Sequence, residues 1–473
     1  MLLTLLSPSI LSKETSPTKL CATNSHSPKS LVASGHDAYS NASPPLLPPE
    51  LIETIIDEVG SQGDTQTLRS CSLVASTFVF RAQSHIFKTV DLDKAQPRKK
   101  YHERFHWLLV RNPYLRMHVR HLRIGDDPED DYGSRDWGRF DMAGRSWIRQ
   151  SKTIRHTLGS LPRLQSFSLT FNSEWTNWET EIPASTRQAF EQVFSLSTLR
   201  SVSLEFVTGF PVNLLKGLVA KLSFVGLSCV ETGNGSSSQL PTSANASPKS
   251  LYLRGTSPDT IQAVSQALVA SSSASPLRKL AITPTFERGF GNAIAQLIRE
   301  VGVDLEEFQW LPSIHFRSSV GSIDISFPQG LRYLKFTVSY RKAHGHGPFP
   351  EVIRLLSQLY QAQRADTSRP DHLERITIEC HCLRSMEAKT LKAEWQAIDK
   401  ILGRPGVFKA LKELKIELPT STSSTELIHE FMMAFQDALP MTQEKGVMVS
   451  VKSRTVVDER FVVDSGYSFT ALQ

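Results

Sequence analysis

The sequence predicts an α/β chain: a short helical bundle, then a long, irregular alternation of parallel strands and the helices that back them. Three observations predict it. From Met1 to Pro45, nineteen residues are Ser, Thr or Pro, a composition that buries too little apolar surface to offset its ordering entropy. Residues 46–92 carry three closely spaced apolar helical sets. From about Asp93 onward a short strand-like frame recurs, with helix-period stripes between its copies. The expected organisation is a disordered tail over 1–45, a helical segment over 46–92 and a repeat domain over 93–473.

Length and composition bound the function classes. The chain has 473 residues, 40% of them apolar, enough for a substantial core. No run of about 18 apolar residues is present, so no membrane span is expected. A net charge of +6 over this length is too dilute to argue for nucleic acid. Five cysteines, odd in number and mostly far apart, suit a reducing compartment, and the first residues lack the pattern of a cleaved leader. The expectation is a soluble chain of the cytoplasm, the nucleus or both.

The first helix is predicted from Leu46 to Val59. Prolines at its first turn remove N–H groups that have no intrahelical partner anyway. Ile52, Ile55, Ile56 and Val59 recur at i, i+3, i+4 and i+7, and Gly60 and Gly63 break the run. A second apolar set comprises Leu68, Cys71, Leu73, Val74 and Phe78, and a third Phe80, Ile86 and Phe87. Three short helices in so few residues are marginal alone, so a partner surface is expected.

These residues carry a resemblance. Leu47-Pro48-Pro49-Glu50-Leu51-Ile52, then Leu68-x-x-Cys71-Ser72-Leu73-Val74, then Phe78, then His85-Ile86-Phe87-Lys88-x-Val90-x-Leu92 resembles an F-box of the fungal type. It covers about a tenth of the chain. The resemblance implies docking on the Skp-type adaptor of a cullin–RING ubiquitin ligase complex. It places Leu47, Pro48, Pro49, Glu50, Leu51, Ile52, Ile55, Leu73, Val74 and Phe78 at or behind that contact. Phe78 stands where many F-boxes have Trp. The alternative is a structural cap on a larger domain.

The repeat follows. The frame Leu-x-x-apolar-x-apolar occurs at Leu164/Phe167/Leu169, Leu199/Val202/Leu204, Leu222/Val225/Leu227 and Leu277/Leu280/Ile282. It returns at Leu305/Phe308/Trp310, Leu331/Leu334/Phe336, Leu373/Ile376/Ile378 and Leu411/Leu414/Ile416, with weaker copies at Val119/Leu122/Ile124 and Leu251/Leu253. Such a frame is common in an apolar-rich chain, so the stripes between copies carry the prediction. They are Ile261/Val264/Leu268, Ile294/Leu297/Ile298/Val301, Val352/Leu355/Leu356/Leu359, Trp395/Ile398/Leu402 and Ile428/Phe431/Met432/Phe435.

This half resembles the degenerate leucine-rich-repeat domain that commonly follows such F-boxes, with Phe105 to Leu122 reading like the bridge into it. That family has Asn after each strand. Here only Asn172 fits, and Val207, Val230, Thr285, Ser313, Ser339, His381 and Pro419 stand at the equivalents. Glu231–Ser250 and the acidic run Asp126–Asp131 read as surface loops.

Candidate chemistry is sparse. His102-Glu103-Arg104-Phe105-His106 matches H-E-x-x-H, in which two His bind zinc and the Glu activates water. The competing reading buries Tyr101, Phe105, Leu108 and Leu109 and leaves both histidines at the surface; Glu129 is the conceivable third ligand. Cys380-His381-Cys382 reads as buried thiols on a strand, and His344/His346 as a loop pair without further ligands. Arg98-Lys99-Lys100 reads as solvated linker, and Trp175 with Trp178 as packing at the repeat edge or a recognition patch.

The expected function, as the resemblance implies it, is non-enzymatic: a substrate receptor of the ligase complex, with no catalytic residue, cofactor or metal, no nucleic acid and no membrane. Its partners would be the adaptor, the cullin complex and an unidentified protein substrate. The alternatives are a zinc metallopeptidase centred on His102, Glu103 and His106, and a scaffold outside any ligase.

Overall fold

The computed structural model describes residues 47–454, except 75, 93–97, 127–145, 172–174, 234–247, 272–275, 285–286, 312–322, 324, 327, 340–348, 367–370, 382–387, 420–432, 434 and 436. The expected disordered tail, Glu129, the His344/His346 pair, Cys382, Asn172 and most of the stripe from Ile428 lie outside the described residues.

Three helices open the described chain: α1 (Pro49–Ser61), α2 (Thr65–Val74) and α3 (Ser76–Ile86). Asp64 starts α2 by accepting hydrogen bonds from the Gln66 and Thr67 backbone N–H groups at 3.1 and 3.0 Å. The bundle core is small: Ile56, Leu68 and Ala82 are buried, with Ile52, Val59, Cys71, Phe78 and Ile86 packed on them. An ionic tie supplements it. Asp57 of α1 accepts from the Arg81 guanidinium and from His85 Nε2 at 2.8 Å, both on α3. That pair holds the Asp57 carboxyl down at about 2, chiefly through the Arg81 hydrogen bond. Gly60 is required there, because a Cβ would stand 2.3 Å from the His85 ring.

Thirteen strands then form one sheet in which every pairing is parallel. They are β1 (Thr89–Asp91), β2 (His121–Gly125), β3 (Ser166–Thr170), β4 (Thr176–Asn177), β5 (Ser201–Pro211), β6 (Phe224–Gly233) and β7 (Ser250–Arg254). The rest are β8 (Lys279–Thr283), β9 (Glu307–Trp310), β10 (Tyr333–Ser339), β11 (Arg375–His381), β12 (Glu413–Pro419) and β13 (Met448–Arg454). Apart from β4, which pairs with the far half of β5, spatial order follows chain order from β1 to β13. Each step between parallel strands needs a crossover.

Helices supply most crossovers. They are α4 (Arg98–Arg111), α5 (Trp147–Gln150), α6 (Ile154–Gly159), α7 (Ala184–Ser195), α8 (Val212–Lys221) and α9 (Pro258–Ser271). They continue with α10 (Phe290–Val301), α11 (Pro350–Ala365), α12 (Ala388–Leu402) and α13 (Pro440–Glu444). No described helix is long and apolar enough to cross a membrane.

The repeated frame is the register of the sheet. Leu122, Phe167, Val202, Val225, Leu251, Leu280, Phe308, Leu334, Ile376 and Leu414 pair in succession across ten strands, and all are buried. Two residues on, a second buried ladder runs from Ile124 to Ile416, and the leading Leu of each frame is buried as well. The stripes on α9, α10, α11 and α12 close the same core, with Val301 only partly covered. Helices α7 and α8 add Phe190, Val193 and Phe194, then Leu214, Leu215, Leu218 and Val219.

The strand starts share one backbone hydrogen-bond pattern. The Arg120 carbonyl accepts from the Gln165 and Ser166 N–H groups at 2.7 and 3.0 Å, and the Arg200 carbonyl from Ser223 and Phe224 at 2.9 and 3.1 Å. The same carbonyl-to-two-amides pattern starts at Lys88 and recurs at Gln165, Ser223, Lys249, Arg278, Glu306, Arg332 and Glu374. These carbonyls fix the line along which every strand begins.

Several expectations need correcting. Ile55 is not in the bundle core, because α1 turns Ile52, Ile56 and Val59 inward and leaves Ile55 exposed. Asp126 is not a surface residue: it is buried and accepts from the Trp147 N–H at 3.1 Å. Glu231–Gly233 and Ser250, expected in a loop, belong to strands β6 and β7. The segment expected to belong wholly to the helical unit ends in β1, which pairs with β2 and so joins the bundle to the sheet.

Candidate functional site

Two surfaces stand out, one on the bundle and one on the sheet. On α1, Leu51 and Ile55 lie one turn apart and are 50% and 52% exposed; Leu73 and Val74 at the end of α2 are 76% and 74% exposed. Leu47, Pro48 and Glu50 are exposed as well. Ile52 and Phe78 instead pack inward on the bundle core. Pro49 is the first residue of α1. The ten residues expected at or behind an adaptor contact thus divide into outward and inward groups. Apolar side chains held outside a folded helix pair on this scale are unusual without a partner.

The second surface is the face of the sheet opposite the buried ladders. Its two halves differ. From β8 onward the side chains neutralise one another across strands: Lys279 pairs with Glu307 at 2.8 Å, Arg375 with Glu413 at 2.6 Å and Lys335 with Glu379 at 2.7 Å. Along the starting line Arg278 pairs with Glu306 at 3.1 Å, and Arg332 with Glu374. From β2 to β7 the same columns are mostly uncharged: Ser166, Ser168, Ser201, Ser203 and Ser250 stand beside His121, Arg123, Phe224, Gly226 and Tyr252.

At the far end of these strands Glu205 accepts from Ser228 Oγ at 3.1 Å and lies 3.7 Å from Arg254. Just beyond, Phe206, Cys229 and Gly255 all have positive φ, at 60°, 51° and 57°. Three neighbouring strands therefore kink at one level. Gly255 is the residue that permits it, because a Cβ there would meet Cys229 Sγ at 2.8 Å. Burial pushes the Cys229 thiol up, away from the reactive thiolate.

The H-E-x-x-H segment does not form a metal centre. His102, expected at the surface, is fully buried, its ring 4.7 Å from that of Trp147 on α5. The reason is helical geometry: position 102 falls beside Leu109, at the edge of the packed face of α4, and Trp147 covers it. Burial, then the charge of His106, holds the imidazole down at about 3. Glu103 projects from the exposed side, and His106 Nδ1 is bonded to Thr157 Oγ1 at 3.0 Å. The three groups do not converge, so this donor set does not fit zinc. Among the described residues no group of three or more His, Cys, Asp or Glu is placed to hold a metal ion.

The other candidates separate likewise. Cys380 is buried on the face of Ile376 and Ile378, and burial raises its thiol pKa. Trp178 is buried, its ring centroid 5.0 Å from that of Phe210, whereas Trp175 is exposed. Missed in the sequence were the open-face columns. They were recoverable by aligning the frames and reading the residues between the apolar positions, such as Ser168, Ser203, Lys335 and Lys415. Comparison of the chain with protein-family models and with curated proteins finds no match.

Proposed function

We propose that this chain is a substrate-recognition subunit of a cullin–RING ubiquitin ligase, with no catalytic site of its own. In this reading α1–α3 act as an F-box that docks on a Skp-type adaptor, and the open sheet face holds a protein substrate. One observation carries it: Leu51, Ile55, Leu73 and Val74, which the F-box resemblance assigns to the adaptor contact, are apolar and point away from the bundle core. The bundle needs a partner over those residues, and the sheet needs none on its helix side. The compartment that follows is the cytoplasm, the nucleus or both.

The test is co-purification with a Skp-type adaptor. Aliphatic anchors near an interface centre commonly cost about 2 kcal/mol when lost, roughly a thirtyfold drop in affinity. Pro49→Ala combined with Leu51→Asp adds an unpaired carboxylate to that surface and is expected to abolish recovery. Circular dichroism should be unchanged, because Leu51 lies outside the core. No adaptor recovered with intact wild-type protein would reject the receptor reading and leave a scaffold capped by a structural bundle.

A further inference from the structure

The starting line of the strands carries a row of cations that the fold does not neutralise. The residues whose carbonyls take two amides from the next repeat include Lys88, Arg120, Arg200 and Lys249. Lys88, Arg200 and Lys249 are exposed and Arg120 half-buried. Among the described residues none of the four meets a carboxylate, and Arg120 bonds only the Arg163 carbonyl at 3.3 Å. At the equivalent positions further along, Arg278 and Arg332 each have a glutamate partner on the next strand. One column thus changes from self-paired to unpaired cations at β7. The local field is positive: burial, then Lys88 and Arg120, lowers the pKa of His121, and burial, then Arg163, lowers that of Arg120.

We propose that this rim, Lys88, Arg120, Arg200 and Lys249, binds an extended acidic polypeptide segment lying across the starts of β1 to β7. Charge complementarity selects the occupant. Six strands at about 4.8 Å spacing give a rim of roughly 24 Å, the span of about seven extended residues. One residue into the face, the half-buried Ser166 and Ser250 offer hydroxyls to the segment's backbone. Nucleic acid fits less well, because that column holds only His121 and Phe224 as rings on which bases would stack. The inference rests on the receptor reading in calling this segment the substrate's; the rim's chemistry does not depend on it.

The experiment is fluorescence anisotropy on the full chain. The probes are a peptide of about twelve alternating Glu and Gly residues, its Gln-for-Glu counterpart, and a single-stranded oligonucleotide of similar length. The acidic peptide should bind at least about tenfold more tightly than the neutral one and weaken with salt. The combined variant Lys88→Glu, Arg200→Glu and Lys249→Glu should lose about tenfold or more. The combination Lys392→Glu, Lys400→Glu and Lys409→Glu, an equal charge change at exposed residues away from the rim, should bind within about twofold of wild type.

Equal binding of acidic and neutral peptides, or equal losses in both variants, overturns the proposal. So does tighter binding of the oligonucleotide that the rim variant abolishes, which would make the rim a nucleic-acid surface. Adaptor recovery is measured in parallel. Rim-dependent peptide binding without adaptor would sink the receptor reading and leave the rim standing; adaptor binding without a peptide preference would do the reverse.

Discussion

The bundle and the sheet solve the same problem in opposite ways. The sheet is threaded by two ladders of buried apolar residues, closed by neighbouring strands and by the helices that back most of them. The bundle buries only Ile56, Leu68 and Ala82 fully and leaves Leu51, Ile55, Leu73, Val74 and Phe80 exposed. What the bundle lacks in core it supplements with an ionic tie, Asp57 to Arg81 and His85. The difference teaches where each region's stability comes from. The sheet depends on packing shared between repeats, as in any stacked array. The bundle depends on a few charges and on its continuity with β1.

Paired alanine substitutions give the largest separation. Phe308→Ala removes a ring from the middle of a ladder, between Leu280 and Leu334, and should cost about 3–5 kcal/mol. Leu51→Ala, half-exposed on the bundle, should stay within about 0.5 kcal/mol in the isolated chain. Urea unfolding of the two variants reads this directly. A Leu51→Ala cost close to that of Phe308→Ala would mean that the bundle face is already covered from within.

Acid gives the next largest effect and acts first on the sheet side. Burial holds His102 neutral with a pKa of about 3, against the usual 6.5 of an imidazole. The unfolded chain therefore binds a proton that the folded chain refuses, and stability falls as pH drops below 6.5 and keeps falling to about 3. By pH 5 the loss is about 2 kcal/mol from this group. His106, which lies on the same helix, is lowered too and pushes in the same direction. His102→Leu should flatten the profile between pH 6.5 and 5, measured as thermal midpoints across that range; an unchanged slope would place the pH dependence elsewhere.

The sequence made the sheet legible and the surfaces much less so. Apolar positions of the repeats are dictated by burial, so the frame from Leu164 to Ile416 marks the register residue by residue. The α7 and α8 stripes were readable by the same spacing in Phe190/Val193/Phe194 and Leu214/Leu215/Leu218. His102 was not legible, because its burial depends on Trp147, 45 positions later and next to it only after folding. Nor was the change of the starting line from paired to unpaired cations, which exists only once strands are in register. In α1, period alone grouped Ile55 with Ile52, Ile56 and Val59, and only the docking of α2 and α3 decides which side is core.

The smallest expected effect sits in the bundle and tests whether charge really supplements its core. Asp57 has a folded pKa of about 2 against 3.8, so the tie is fully present above pH 3.8 and is lost as pH falls through 2. The side chains of Asp57 and Arg81 are 38% and 40% exposed, so solvent screens the pair well below what the shift suggests. Asp57→Asn keeps the size and one acceptor but removes the charge, and should cost about 1 kcal/mol at neutral pH and almost nothing at pH 2. Hydrogen exchange separates the regions: amides of α1 and α3 should lose protection in this variant while those of β8–β10 keep theirs. The acid sequence then runs opposite to core size, since the sheet side weakens from pH 6.5 downward and the bundle tie only below 3.8. Equal loss of protection in both regions would show that bundle and sheet unfold as one unit, with β1 coupling them through its pairing to β2.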